Sequence, residues 1–533
     1  MIVLNPWFLI WIPVFCSLFA AKGIIHYFQL ESYQFPGFFR TLTRNRRHAW
    51  LPGICVTVVS LLLCGVFWLL RGLPIAVLII LAIILTLIAA GAGSRIARFF
   101  QEKAVKKKLV YTGRLKRFYF MFILVMSLIS WGIATLFGAA FAMLWPLVLP
   151  LVVALSGLLA WPLEKLITEC YFQDARRKLL KNPNLIRIGI TGSYGKTTVK
   201  HILGTILSEK YPTLITPASF NTPMGVSRAI RERLRPAHQI FVAEMGARHV
   251  GDIREMCRLV KPSIGILTSV GPQHLDTFKT VERVTKAKYE LMQALPKGAP
   301  RYFFNDHGIC EALFEKAESP KTMAGMDSGS GTVWCENISV SAQGSHFELH
   351  IAGKGSIECQ TALLGEHNIQ NILLAAAVAS DLRLSLKQIS HGIAKLVPVK
   401  SRLELMTTPG SFTIINDGFN SNPVGARAAL KVLSAFPKRR IVITPGMVEL
   451  GEEEAAFNRD FGRSIAECAD IAIVIGKQRA IPILEGLREG GFTEEQIMQV
   501  SSFEESTEAL RSIVKPVDTV LYENDLPENY QEA

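Results

Sequence analysis

Apolar positions fill the first third of the chain almost continuously and then change character near residue 184. Five apolar stretches, about 3–21, 50–70, 73–93, 118–138 and 139–163, each approach the roughly 20 residues that a helix needs to cross a bilayer. The first lacks a basic leading region and a small-x-small cleavage site, so it reads as a retained helix and not a secretory signal. The fourth and fifth are nearly continuous, which demands a tight turn near Gly138. From Glu164 to Asn184 the chain is polar, with Arg176, Arg177, Lys178 and Lys181, and reads as a linker. Beyond it the pattern is that of α/β structure. Leu185-Ile186-Arg187-Ile188-Gly189-Ile190 predicts a buried parallel strand. Val199, Ile202, Leu203, Ile206 and Leu207 predict an amphipathic helix.

Between that strand and helix stands Thr191-Gly192-Ser193-Tyr194-Gly195-Lys196-Thr197-Thr198. Strand, glycine-rich turn and helix is the context of a phosphate-binding loop. The glycines let backbone N–H groups face an anion, and the helix N-terminus adds partial positive charge. Lys196 is placed to reach the outer phosphates and the Thr197 hydroxyl to ligate Mg²⁺. Ile190 occupies the first glycine position of the usual motif, and the run from Gly189 reads G-x-x-G-x-x-G-K-T instead. A nucleotide site is expected here.

Charge adds a topology. Residues 1–183 hold 20 Lys and Arg against 5 Asp and Glu, whereas 184–533 hold 38 against 39, so the excess of +14 belongs to the apolar part. The soluble part has no basic face for nucleic acid. One basic loop carries Arg40, Arg44, Arg46 and Arg47; another carries nine basic residues between Arg95 and Arg117. The positive-inside rule makes both cytoplasmic. With five spans, the expectation is a multi-pass protein of the cytoplasmic membrane, N-terminus outside and everything after Leu163 in the cytoplasm. The spans themselves carry almost no ionisable residues, with Lys22 at the edge of the first, so they read as anchor, lipid contact or partner contact before transport path. Nine scattered cysteines with no C-x-x-C pair argue against a disulfide framework or a zinc site.

Further candidate residues sit where strands end. Gln239 to Ala243 reads as a strand ending in Glu244, a candidate Mg²⁺ ligand at the crevice edge of a parallel sheet. Ser263 to Thr268 reads as another, followed by His274; Lys288 falls in a later helix. Phe412–Ile415, Arg440–Thr444, Ile471–Ile475 and Thr519–Tyr522 predict parallel strands of a second α/β sheet.

The runs G-I-T-G-S-Y-G-K-T-T, F-N-T-P-M-G-V, A-E-M-G, S-V-G-P-Q-H-L and A-K-Y-E resemble the central domain of the Mur ligases. Gly365-Glu366-His367-Asn368-Ile369-Gln370-Asn371, Ser401-Arg402-Leu403-Glu404, Asn416 to Pro423 and Pro445 to Gly451 continue the resemblance over about residues 184–525. Within the family it is most similar to the type that adds D-alanyl-D-alanine to a UDP-MurNAc tripeptide. The implied architecture is an all-α membrane bundle at 1–165, a linker at 166–184, a central P-loop ATPase-like α/β domain at 185–400 and a Rossmann-like α/β domain at 401–533.

The resemblance also implies roles. ATP would be held by Gly192, Ser193, Gly195, Lys196, Thr197 and Thr198, with Asn368 and Asn371 toward the adenine, Asp417 at the ribose and Arg402 at the γ-phosphate. Thr197, Glu244 and His274 would hold Mg²⁺, two ions in all, and Lys288 stands where relatives carry a carbamylated lysine. Lys196, His274, Lys288 and Arg402 would be the catalytic set. Asn221, Thr222, Asn420 and Asn422 would meet substrate. A carboxylate acceptor, lipid-linked or a UDP-MurNAc peptide, would be activated as an acyl phosphate and attacked by an amino acid or dipeptide. Such phosphoryl transfer needs charge neutralisation more than a nucleophile. Other envelope-synthesis proteins are conceivable partners, beside membrane lipid.

Two departures stand out. Five spans replace the soluble domain that grips the UDP-sugar. Tyr522-Glu523-Asn524-Asp525 stands where this type carries Lys-Gly-Ser-Arg, and acidic residues there suit a cationic amine better than a dipeptide carboxylate. The expected function is an ATP-dependent acid–amino-acid ligase of peptidoglycan or envelope precursor synthesis. The alternatives are a poly-γ-glutamate-type synthase and a non-catalytic nucleotide-binding scaffold.

Overall fold

The computed structural model describes residues 7–100, 109–217, 220–407, 412–419 and 421–526. The chain divides into two compact units, Met1–Glu169 and Cys170–Ala533.

The described residues of the first unit are helical. The stretch expected as one helix over 3–21 is broken: residues 3–6 lie outside the described residues, and helices Trp11–Ala20 and Lys22–Leu30 follow, bent by 48°. An amphipathic helix, Phe35–Arg44, comes next. The other apolar stretches form Arg46–Leu69, Ile75–Phe99 and Gly113–Phe137, then short 3₁₀ turns and a helix Leu149–Leu180. That last helix continues through most of the residues expected as linker. The tight turn falls at Gly138, whose φ of 98° suits glycine. Four helices among the described residues are long and apolar enough to cross a membrane, five if the bent pair counts as one span. Inside the unit Arg117 makes a two-pronged bond to Glu164 at 2.6 and 2.9 Å. The loop lysines Lys103, Lys106, Lys107 and Lys108 lie outside the described residues.

The second unit holds two sheets. The first contains β1 (Ile186–Thr191), β2 (Thr213–Ile215), β3 (Ile240–Glu244), β4 (Ile264–Leu267), β5 (Arg301–Phe304), β6 (Lys321–Ala324), β7 (Val333–Ser341), β8 (Gly344–Ile351) and β9 (Gly355–Thr361). Its spatial order is β2-β3-β1-β4-β5-β6-β7-β8-β9, parallel as far as β7 and antiparallel through the last two pairings. Ile188 and Ile190 face the helix Lys196–Leu207 and the helix Glu366–Asp381; Phe241, Ala243 and Leu267 face the opposite layer. Burial on both faces explains why these strands read as apolar runs and not as alternation. Val199, Ile202, Leu203, Ile206 and Leu207 are all at most 2% exposed, so the helical stripe reading holds.

The second sheet contains β10 (Glu404–Thr407), β11 (Thr413–Asp417), β12 (Arg440–Thr444), β13 (Ile471–Ile475), β14 (Ile497–Val500) and β15 (Thr519–Glu523). The order is β10-β11-β15-β12-β13-β14, with only β10 antiparallel to its neighbour. Helices cover both faces here too. All nine cysteines are free thiols, as their spacing predicts.

Candidate active site

The turn after β1 is built for close approach. Gly192 (φ 152°) and Gly195 (φ 76°) have positive φ, and Gly195 starts the helix Lys196–Leu207. A Cβ at Gly192 would lie 2.1 Å from Thr268 Oγ1, and one at Gly195 would lie 2.6 Å from Asn371 Oδ1. The segment after β4 props the loop. Ser193 N donates to Ser269 O (2.8 Å), Tyr194 N to Ser269 Oγ (2.9 Å), Ser193 Oγ to Gly271 O (3.0 Å) and Tyr194 OH to Pro272 O (2.7 Å). Thr268, Ser269 and Gly271 thus shape the loop, a role that the sequence did not assign to them although Ser269 and Gly271 open the S-V-G-P-Q-H-L run. Gly195→Ala is expected to weaken nucleotide binding about tenfold, because the added methyl needs a φ that costs about 1–2 kcal/mol and displaces Asn371. Calorimetric titration with ADP measures it.

Lys196 curls back, donating from Nζ to Gly192 O (2.7 Å) and Ser193 O (2.9 Å). Burial lowers its ammonium to about 8, opposed by Glu244 and assisted by Arg402. Thr197 Oγ1 donates to Glu244 Oε2 at 3.0 Å. Glu244, 1% exposed at the end of β3, also accepts from Lys200 Nζ (3.0 Å) on Oε2 and from Asn221 Nδ2 (3.1 Å) on Oε1. Burial alone would make it a weaker acid, but Lys200 and Lys196 outweigh burial and hold it below the usual carboxylate range. Lys200, one helical turn after Lys196 and fully buried, is a site residue that sequence reasoning missed. It looks like an ordinary inward helix position.

The other expected residues divide into those brought to this centre and those held elsewhere. Arg402 comes from the second sheet's entry segment, stacks on Phe419 at 4.8 Å, and its charge is felt at Lys196, Lys200 and His201. Burial depresses the Arg402 guanidinium, with Asp417 and Glu244 opposing. Asp417 accepts from Leu403 N (3.1 Å), and burial pushes it up to about 6 against the pull of Arg402. Asn371 abuts Gly195, whereas Asn368 Nδ2 donates to Leu364 O (2.8 Å), just ahead of its own helix. Lys288 is 1% exposed, 6.0 Å from the Phe278 ring, and lowered well below a normal lysine by burial and then Lys196.

His274 is engaged by a residue 175 positions away. Its Nδ1 meets Glu449 Oε2, and Arg248 Nη2 donates to Glu449 Oε1 at 3.0 Å. Burial would raise Glu449, yet His274 and Arg248 hold it down at about 2. Thr222 and Asn422 accept from Gly225 N (3.3 Å) and Gly425 N (2.8 Å), so both cap helices in this structure, while Asn221 serves Glu244. Asn420 lies outside the described residues.

These residues fit ATP and Mg²⁺. The two glycine positions leave a cradle that a Cβ would fill, and Thr197 and Glu244 offer a hydroxyl and a carboxylate oxygen side by side. Mg²⁺ asks for few protein oxygens, since phosphates and waters complete its octahedron. Among the described residues no group of three or more His, Cys, Asp and Glu forms a metal cage.

Comparison with known proteins agrees with this geometry. Residues 190–379 match the Mur ligase middle domain and residues 401–522 the Mur ligase glutamate ligase domain. The chain is 30% identical over 316 residues to the UDP-N-acetylmuramoyl-tripeptide--D-alanyl-D-alanine ligase of Haemophilus influenzae, covering 58% of this chain and 68% of that protein. It is 30% identical over 282 residues to the ligase of the same name from Buchnera aphidicola, covering 53% of this chain and only 61% of the relative. Among solved structures, MurF from Acinetobacter baumannii superposes with a TM-score of 0.61 at 28% identity, over 67% of this chain and 77% of that one. The chain belongs to the Mur ligase family, ATP-dependent and Mg²⁺-using enzymes that form amide bonds.

Proposed function

We propose that this chain joins an amino acid or dipeptide to a carboxylate acceptor at the cytoplasmic face of the membrane, in synthesis of a peptidoglycan or envelope precursor. What carries the reading is the convergence of Lys196, Glu244 and Arg402. They come from three segments and two sheets, and their charges act on one another at a single glycine-lined loop. In this reading Mg²⁺, held by Thr197 and Glu244, supplies charge neutralisation at the transferred phosphoryl group. Lys196 leaves its two loop carbonyls to meet the terminal phosphate, and Arg402 approaches from the other sheet. Asn371 and Asp417 flank the nucleoside side. Phosphoryl transfer to the acceptor carboxylate makes it a good acyl donor; the amine then attacks and phosphate departs.

Lys288 fits the carbamylation that the family resemblance implies. Its depressed basicity leaves a neutral amine, which adds to CO₂ with loss of one proton to give an anionic carbamate, and that anion would support a second Mg²⁺ near His274. The apolar helices support a membrane location. With the bent pair counted as one span, the positive-inside rule favours an N-terminus outside and the ligase unit inside, where ATP is. A membrane-embedded first unit suits an acceptor that is itself lipid-linked, with the UDP-MurNAc tripeptide of the relatives as the soluble form to compare.

The test is phosphate release by the full chain in nanodiscs. It is measured with ATP and Mg²⁺ while acid (UDP-MurNAc tripeptide) and amine (glycine, D-alanine, L-lysine, D-alanyl-D-alanine) are each withheld in turn. Release that requires both is expected. Equal release without either would make the protein a nucleotidase, and no release under any condition a scaffold.

A further inference from the structure

We propose that Lys200 is the resident counter-cation of Glu244 and thereby bars free divalent cations from the phosphate loop, so that Mg²⁺ enters only in company with nucleotide phosphates. The inference concerns the ATP and Mg²⁺ use of the family and needs neither the acceptor nor the amine of the proposed ligation. Lys200 stands one helical turn after Lys196 on the helix Lys196–Leu207. Its Nζ lies 3.0 Å from Glu244 Oε2, and the two side chains are 0% and 1% exposed. Glu244 ends β3, at the edge of a parallel sheet where ligands bind. A buried ion pair is a weak source of stability, because well-packed apolar residues often do as well. The cation at this carboxylate therefore calls for a role at the site.

Charge and coordination lead to one consequence. The charges of Lys200, Lys196 and Arg402 all act around Glu244, and the next acid, Asp417, acts on Arg402. Three cations thus surround one carboxylate in a shielded place, and the excess repels a further cation. Nucleotide phosphates reverse that balance, and a metal ion bridging them arrives with its charge offset. Coordination is short as well. An ionised carboxylate has about four acceptor positions. Oε2 accepts from Thr197 Oγ1 and Lys200 Nζ, and Oε1 from Asn221 Nδ2, so one position on Oε1 is left for a metal. With the Thr197 oxygen that makes two protein ligands, too few to hold Mg²⁺ unless phosphates complete its shell. Among the described residues no cage of three or more His, Cys, Asp and Glu supplements them. Without the Lys200 charge, Glu244 would be a buried, unpaired carboxylate, and a divalent cation would become its partner.

The experiment uses the full chain in zwitterionic nanodiscs and bicarbonate-free buffer, where Lys288 adds no anion. Mn²⁺, read by its electron paramagnetic resonance, is titrated with and without ADP into wild type, Lys200→Met and the double variant Lys200→Met with Glu244→Gln. Wild type is expected to bind Mn²⁺ at the loop only with ADP. Without nucleotide, Lys200→Met should bind Mn²⁺ at least about tenfold more tightly than wild type, and the double variant should lose that gain. Melting gives a reading that a merely structural ion pair would not move. At about ten times its Kd, Mn²⁺ should raise the melting temperature of Lys200→Met by about 2 °C and leave wild type and the double variant unchanged. That reading also serves if Lys200→Met is loosened before metal is added. Nucleotide-free binding as tight in wild type as in Lys200→Met, a gain that survives Glu244→Gln, or melting of Lys200→Met that Mn²⁺ does not raise overturns the proposal. No readout uses acid or amine, so a failed phosphate-release test would remove the ligase reading and leave this one standing.

Discussion

Lys196→Ala is expected to cut acid- and amine-dependent phosphate release by about 10³-fold or more. A positioned cation at a transferring phosphoryl group is worth roughly 10³–10⁵ in rate. In the structure the Lys196 ammonium touches two carbonyl oxygens, of Gly192 and Ser193, and no carboxylate in direct contact. It is therefore a desolvated cation whose only anionic influence is the more distant Glu244, and a phosphate would be its first strong partner. Alanine leaves the loop's hydrogen bonds to Ser269 and Gly271 intact, so the fold should survive and melting should change little. Arginine would not rescue, because a planar fork cannot occupy the space between two carbonyls as a compact ammonium does. Single-turnover phosphate release is the measurement. Residual activity above about 1% of wild type would mean that another cation, with Arg402 the obvious one, carries the step.

Lys200→Ala is expected to cost about 3–5 kcal/mol of unfolding free energy, the size of effect seen when one partner of a buried ion pair is removed. Lys200 and Glu244 are 0% and 1% exposed and 3.0 Å apart. The two partners shift unequally: burial outweighs Glu244 at Lys200, which is lowered, while Lys200 and Lys196 outweigh burial at Glu244, also lowered. Two further donors on Glu244, from Thr197 and Asn221, explain why the carboxylate keeps its charge. The pH dependence follows from the Glu244 direction. With its folded value below the ordinary one, Glu244 contributes stability that is fully present above about pH 4.5 and is lost as pH falls through the depressed value. Urea titration at neutral and acid pH reads both effects. Lys200→Ala with Glu244→Gln should recover much of the loss, since no buried charge is then unpaired.

Local order was legible where one periodicity or one loop carried it. The strand, turn and helix from Leu185 to Leu207 need only neighbours in sequence, and so do the strands ending at Glu244 and Thr268. The first membrane stretch was less legible, because an apolar window averages over a bend and carries no signal for the break at Ala21. β2, β5, β6, β10, β14 and the antiparallel β7–β9 passed unread: most are only three or four residues long, and the longer β7–β9 are too polar to stand out as apolar runs. The site follows the same division. The loop, Glu244 and, by resemblance, Arg402 were visible. Lys200 was not, because an inward lysine at helical spacing looks like any snorkelling side chain. Glu449 was not, because its partner His274 lies 175 residues earlier. Thr222 and Asn422, marked for substrate, also cap helices, a second task that their place before Pro223 and Pro423 makes readable.

The contact among His274, Glu449 and Arg248 ties the wall that follows β4 to the wall that follows β12. Under the proposed function each turnover admits three reactants and discharges three products through the cleft that these walls enclose. Opening that cleft would therefore break the tie, and closing it would re-form it, as a latch does. The imidazole and the carboxylate are largely shielded, at 16% and 14% exposure, whereas the Arg248 side chain is 55% exposed and screened by solvent. Release of the product, more than chemistry, is then the step whose tempo this latch would govern.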